Sequence, residues 1–273
     1  MQEKITILVS ERPRQAPADT SLFQLRDQIK PDADIVIYNG APAMDDRPLH
    51  DGDAVVFIRR GEMPDAEELE ALMAARHTPG VHRIVRAASV GIAGLGGLGS
   101  AVAIALARIG VGRLVLADFD VVEPSNLNRQ QYFVDQIGMQ KTDALAGTLE
   151  RINPTVQVQT HPVRLTPDNV SNLFGEVDVL TEAFDRAEEK AMLMETTLRT
   201  LPNTPLVMAS GLAGYETANR VITRKMRRNL YCCGDGASAA RPGHGLMAPR
   251  VGVAAHHQAN AVMRLLLGEA PEA

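Results

Sequence analysis

The chain has 273 residues, 45% of them hydrophobic and 22% charged, with a formal net charge of −5. That length and apolar content bury a sizeable core, in one large or two ordinary domains, and exclude a disordered chain. The acidic balance argues against a protein dominated by phosphate-backbone contacts, so no nucleic-acid partner is expected. The only cysteines are the adjacent Cys232 and Cys233, which excludes both a disulfide framework and a four-cysteine zinc site. Met1–Gln15 lacks the apolar stretch of a secretory signal, and no apolar run approaches the ~18 residues that span a bilayer. A soluble, cytoplasmic protein without a membrane partner is expected.

In chain order, Lys4–Val9 reads as an apolar strand, Glu11–Arg14 as a turn and Gln15–Ala18 as a short returning strand. Thr20 or Ser21 caps a helix with Leu22, Leu25 and Ile29 on one face. Asp34–Tyr38 is a strand stopped by Asn39-Gly40, and Ala54–Ile58 is another after the turn Asp51–Asp53. Residues 1–61 thus form a compact α+β unit of ββαββ pattern. Residues 62–87 read as a linker, with a helix opened by Pro64 and acidic residues and running to about Arg76.

Residues 88–273 alternate strands and helices, which implies a mainly parallel sheet with helices on both faces. The expected strands are Ser89–Ala93, Arg113–Asp118, Val156–Pro162, Val177–Glu182, Pro205–Ser210 and Thr217–Ile222. The expected helices are Ser100–Ile109, Thr142–Ile152, Arg186–Thr200 and Val251–Leu267.

Gly94-Leu95-Gly96-Gly97-Leu98-Gly99 fits G-x-G-x-x-G between a strand and a helix. Glycines let the backbone approach a phosphate, and free amides at a helix start stabilise the anion. Asp118 ends the next strand nineteen residues after Gly99, where an acid bonds ribose hydroxyls. A nucleotide site follows. The loop by itself leaves a dinucleotide oxidoreductase and an ATP-using enzyme both open.

The segment Asp118-Phe119-Asp120-Val121-Val122-Glu123-Pro124-Ser125-Asn126-Leu127-Asn128-Arg129-Gln130 favours the second. With the glycine loop, Lys141, the Glu182-Ala183-Phe184-Asp185 stretch and Gly245–Gly252, it resembles the ThiF/MoeB family of ubiquitin-like-protein-activating enzymes, from about Arg76 to Gly268. The resemblance implies a Rossmann-like fold and ATP- and magnesium-dependent adenylation of a carrier protein's C-terminal glycine. It also implies roles. Gly94, Gly96, Gly97, Leu98, Gly99, Asp118, Asp120, Asn126 and Gln130 would hold the nucleotide, with Asp118 on the ribose. Asn126 and Arg129 would contact the phosphates, Lys141 would offset charge on the leaving pyrophosphate, and Asp185 would hold Mg2+. Arg76, with Arg83 as alternative, would reach the partner subunit's ATP, so a homodimer is implied.

The chemistry needs such groups. A carboxylate attacking the α-phosphorus brings one anion to another, and cations must screen the repulsion. Arginine offers a fork of donors to phosphate oxygens, lysine a point charge. Taken singly, Arg129 and Lys141 also fit solvated surface charges, and Asp185 also fits a helix cap.

The chain departs from the family in two respects. It lacks the two CxxC pairs with which many members hold zinc, so no zinc is expected. Many members also place a cysteine shortly before the segment equivalent to Gly245–Pro249, where this chain has Ala239–His244. Adenylation without an obligatory covalent cysteine step is therefore expected. His256 and His257 are adjacent on a predicted helix and so do not share a face for a metal.

The first 61 residues resemble a sulfur-carrier β-grasp domain of the ThiS type. Carriers of that type end in Gly-Gly. Here Gly61 runs into Glu62-Met63-Pro64 and the chain ends Pro271-Glu272-Ala273, so this domain is not expected to be the adenylated substrate as it stands. A structural or docking role is expected. Together these features imply a short, zinc-free ThiF-type adenylyltransferase for thiamine thiazole synthesis, with a ThiS-like sulfur carrier and a sulfur donor protein as partners. The alternatives are a molybdopterin-type carrier, a small-molecule or tRNA substrate, a non-catalytic carrier-binding module and, last, an NAD-dependent oxidoreductase.

Overall fold

The computed structural model describes residues 3–75, 77 and 80–272. The chain divides into two compact units, residues 1–78 and 79–273.

In the first unit the order is β1 (Lys4–Val9), β2 (Arg12–Pro17), α1 (Leu22–Ile29), β3 (Ile35–Tyr38), β4 (Ala41–Pro42), β5 (Ala54–Ile58) and α2 (Ala66–Ala74). The sheet order is β2-β1-β5-β3-β4, with β1 parallel to β5 and the other pairs antiparallel. Only Ser10 and Glu11, both at positive φ, turn the first hairpin. The second strand therefore begins at Arg12, earlier than the polar Arg12-Pro13-Arg14 indicated, and Pro13 is tolerated because β2 is an edge. Ser21 caps α1 through a capping box with Gln24. Ile7, Leu22, Leu25, Val55 and Phe57 form the core. Beyond β5, α2 folds back on the first hairpin: Ser10 Oγ donates to Glu68 Oε1 at 2.7 Å, and Arg12 pairs with Glu67 at 3.3 Å.

The second unit runs α3 (Val81–Ala87), β6 (Ser89–Ala93), α4 (Gly97–Arg108), β7 (Arg113–Ala117), α5 (Lys141–Ile152), β8 (Gln157–His161), α6 (Val170–Phe174), β9 (Val179–Glu182), α7 (Ala187–Thr200), β10 (Leu206–Ala209), β11 (Ile222–Arg227), β12 (Leu230–Gly234) and α8 (Ala248–Leu266). Its sheet order is β11-β12-β10-β9-β6-β7-β8, all parallel except the edge strand β11. The apolar runs of β6 and β9 are buried at every residue, as strands covered on both faces must be. One apolar cluster joins the sheet to α4, α5 and α8, and a second joins it to α6 and α7.

One expected strand is corrected. Thr217–Ile222 contains a short 3-10 turn at Ala218–Arg220, and β11 begins only at Ile222. The Glu216 and Thr217 carbonyls accept from the buried Arg250 guanidinium instead of joining a ladder. The chain reverses its direction of sheet growth between β6 and β9. The crevice at the carboxyl ends of the strands there is where an open α/β sheet binds a ligand.

Candidate active site

A cavity of about 810 Å³ occupies that crevice. β6 delivers the chain to Gly94, whose φ of +89° turns it sharply toward α4. A Cβ at Gly99 would collide with the Gly94 carbonyl, so Gly99 closes the loop on itself and does not line the cavity. At Gly96, by contrast, a Cβ would meet nothing closer than Gln130 Nε2 at 3.8 Å. Gly94, Gly96, Gly97 and Leu98 line the cavity, and α4 opens there with no side-chain cap on its first turn.

Asp118, just past β7, faces the same space and accepts from Leu95 N at 2.6 Å and Asp120 N at 2.8 Å. Burial pushes its pKa up, and Lys141 and the two amides offset part of that rise. Lys141 opens α5 with a buried side chain, and its Nζ donates to Asp120 Oδ2 at 2.8 Å. Arg129 borders the cavity with its guanidinium steadied by Ser125 O and Asn128 Oδ1. Gln130 is buried at the cavity wall, and its Oε1 has no partner among the described residues. Asn126 is set apart. It is buried, and its side-chain oxygen accepts from Glu123 N, which shapes the turn that presents Arg129 and Gln130.

Across the cavity, Asp185 stands exposed in the loop between β9 and α7. The structure thus brings Gly94, Gly96, Gly97, Leu98, Asp118, Asp120, Arg129, Gln130, Lys141 and Asp185 to one space, and leaves Gly99 and Asn126 behind it. Arg76 lies outside the described residues.

Sequence reasoning missed the rest of the enclosure. At the β7–β8 end Arg164 stacks 4.5 Å over the Phe119 ring. Lys190 lines the cavity from α7, and Ser210–Ala213 and Gly236–Ala240 form the remaining wall. Asp235 anchors that wall. Its carboxylate accepts from Ala237 N, Ser238 N, Ser238 Oγ and the buried Arg250 Nη2. Burial alone would raise the Asp235 pKa, but these donors hold it well below the usual carboxylate range. The one signal in the sequence was Arg250, inside the Gly245–Gly252 segment.

Neither cysteine lines the cavity. Cys233 is fully buried, and burial pushes its thiol up to about 11. His256 and His257 bond different partners, Gly252 O and Thr223 Oγ1. No group of three or more metal-capable side chains occurs among the described residues.

A model described as the ThiF family matches residues 70–273, and one described as ThiS-like ubiquitin matches residues 5–61. Ubiquitin-like modifier-activating enzyme 5 of Drosophila pseudoobscura pseudoobscura is 39% identical over 119 residues, 42% of this chain and 30% of that protein. Adenylyltransferase and sulfurtransferase MOCS3 of Xenopus laevis is 38% identical over 126 residues, 46% of this chain and 28% of that protein. The chain thus spans under a third of the length of these curated relatives. Among solved structures, E. coli tRNA N6-threonylcarbamoyladenosine dehydratase TcdA in complex with AMP superposes with a TM-score of 0.68 at 21% identity, covering 76% of this chain and 98% of that one. E. coli MccB with a MccA variant gives 0.54 at 22%, covering 70% and 60%. Both show a shared fold.

Proposed function

The chain belongs to the ThiF family, and on that premise we propose that it adenylates the C-terminal carboxylate of a small ubiquitin-like carrier. The reaction is carrier-COO⁻ plus ATP giving carrier-CO-AMP plus pyrophosphate. One observation carries the reading: the glycine loop, Asp118, Arg129, Lys141 and Asp185 all line a single cavity at the switch point of the sheet. A dinucleotide oxidoreductase has no use for Arg129, Lys141 and Asp185 around its phosphates.

The residues fit ATP. The uncapped start of α4 and the open face of Gly96 accept phosphates, and the unpartnered Gln130 Oε1 accepts a donor such as a sugar hydroxyl. Asp118 binds the ribose. Arg129 and Lys141 bind phosphate oxygens and stabilise the charge that shifts to pyrophosphate. Asp185 holds Mg2+, which when bound neutralises phosphate charge and orients the nucleotide. A homodimer in which Arg76 completes the neighbouring site belongs to the same reading.

The ThiS-like match of residues 5–61 supports a sulfur carrier as substrate, and with it thiamine thiazole synthesis and a separate sulfur donor. The attached β-grasp unit is not that substrate, because Gly61 continues into the segment leading to α2 and has no free carboxylate. A cytoplasmic setting goes with the reading, since two unpaired thiols suit a reducing compartment. No described helix is long and apolar enough to cross a membrane.

The deciding experiment is ATP–pyrophosphate exchange with the protein alone and with Gly-Gly-ending carriers. Exchange that requires one carrier establishes the reading. Exchange without a carrier points to a small-molecule acid or to self-modification. ATP binding with no exchange in any mixture points to a binding module.

A further inference from the structure

Lys190 lines the cavity close to Asp185 and has the look of one more cation for the phosphates. Its bonding says otherwise. An ammonium has three N–H donors. In Lys190 they go to Glu182 Oε1 at 2.8 Å, Glu182 Oε2 at 3.0 Å and the Ala209 carbonyl at 3.0 Å. Glu182 is the last residue of β9, and its side chain is wholly buried. The same carboxylate accepts from Phe184 N at 2.7 Å and Ala209 N at 3.4 Å. From behind, Gln258 of α8 donates to the Glu182 carbonyl at 2.8 Å.

Asp185 sits between Phe184 and the helix that carries Lys190, so both flanks of its loop are fastened to one buried carboxylate. Were Lys190 to swing to a phosphate, Glu182 would be left as an uncompensated buried charge, which is strongly unfavourable. We propose that Glu182 and Lys190 form a fixed clip that positions Asp185, and that Lys190 is not a phosphate ligand. This rests on the reading of Asp185 given above. The pair is electrically neutral, so it adds rigidity to this wall and no net charge.

The test uses the full chain and three variants: Lys190→Met, the neutral double variant Glu182→Gln/Lys190→Met, and Asp185→Asn. The double variant leaves no orphaned charge, which guards against a fold lost for that reason, and circular dichroism checks each protein. Calorimetry measures ATP binding without metal and with Mg2+, and pyrophosphate exchange gives kcat and KM. Both clip variants are expected to bind metal-free ATP like the parent. Their gain in affinity on adding Mg2+, and their kcat, should drop about 10–100-fold, as when the partners that orient a metal ligand are removed. Weakened metal-free binding in the folded double variant, which lacks Lys190 and orphans no charge, would make Lys190 a phosphate ligand and overturn the proposal. Parent-like Mg2+ response in both clip variants beside a defective Asp185→Asn would overturn the clip alone. A parent-like Asp185→Asn would overturn the reading of Asp185 itself, and the purpose of the clip with it.

Discussion

Lys141 and Asp120 meet at 2.8 Å, yet the lysine side chain is 6% exposed and the aspartate 49%. The cation is therefore delivered from inside the fold to an acid at the cavity rim. Removing it while keeping the stem, as in Lys141→Met, should lower the exchange kcat by about 10²–10³-fold, the usual cost of losing one charge-stabilising donor. Asp120→Asn keeps the hydrogen-bonding shape and should cost much less. Exchange kinetics on the two variants distinguish a catalytic cation from a member of a structural pair.

Two glycines of one motif should fail differently. At Gly99 an added methyl strikes the Gly94 backbone, so Gly99→Ala should cost about 1–3 kcal/mol of stability, as overpacked sites do. At Gly96 the methyl points into open space, so Gly96→Ala should unfold like the parent while losing ATP affinity. Thermal melts and calorimetric titration report the two quantities separately.

On the proposed role of Asp118, ATP binding should depend on pH. Burial raises its folded pKa, so its contribution to stability is complete below the unfolded value of ~3.9 and is lost as pH rises through the folded value. At neutral pH the ionised carboxylate therefore costs the empty protein stability and stands ready for a ribose donor. Titrating downward should weaken ATP binding at a higher pH than an ordinary aspartate would allow. Asp118→Asn should bind weakly with a flat profile over the same range. A titration of affinity against pH checks both.

The thiols should be dispensable for adenylation. Burial pushes both upward, Cys233 to about 11, so they remain protonated and poorly nucleophilic at neutral pH. Cys232→Ser/Cys233→Ala should retain carrier-dependent exchange, and iodoacetamide should label the native parent slowly at pH 7.5. Loss of exchange in a folded double variant would instead assign a thiol to the reaction.

What could be read from the residues followed from local rules. β6 and β7 stood out as apolar runs, and the spacing of the glycine loop and Asp118 anticipated that both meet at one cavity. α4 was placed too late because its first turn carries Gly97 and Gly99, residues of poor helical preference held there by the loop. β11 was missed because Ile222–Arg227 is an exposed basic edge with no alternating apolar face. α6 has only five residues, too few to show a period. In the site, most of the cavity-lining groups proposed to bind nucleotide were legible, while those that hold them in place were not. Glu182–Lys190 and Asp235–Arg250 are joined by tertiary folding across strand, loop and helix, and no local spacing announces such pairs.

α8 has a mechanical part to play. Arg250 in its first turn grips Asp235 and so the Gly236–Ala240 wall, while Gln258 holds the end of β9. The two stand eight residues apart, about 12 Å along the axis at 1.5 Å per residue. One stiff rod thus braces two neighbouring stretches of the cavity wall, the end of β9 and the Gly236–Ala240 loop, and a shift of the rod should move both together.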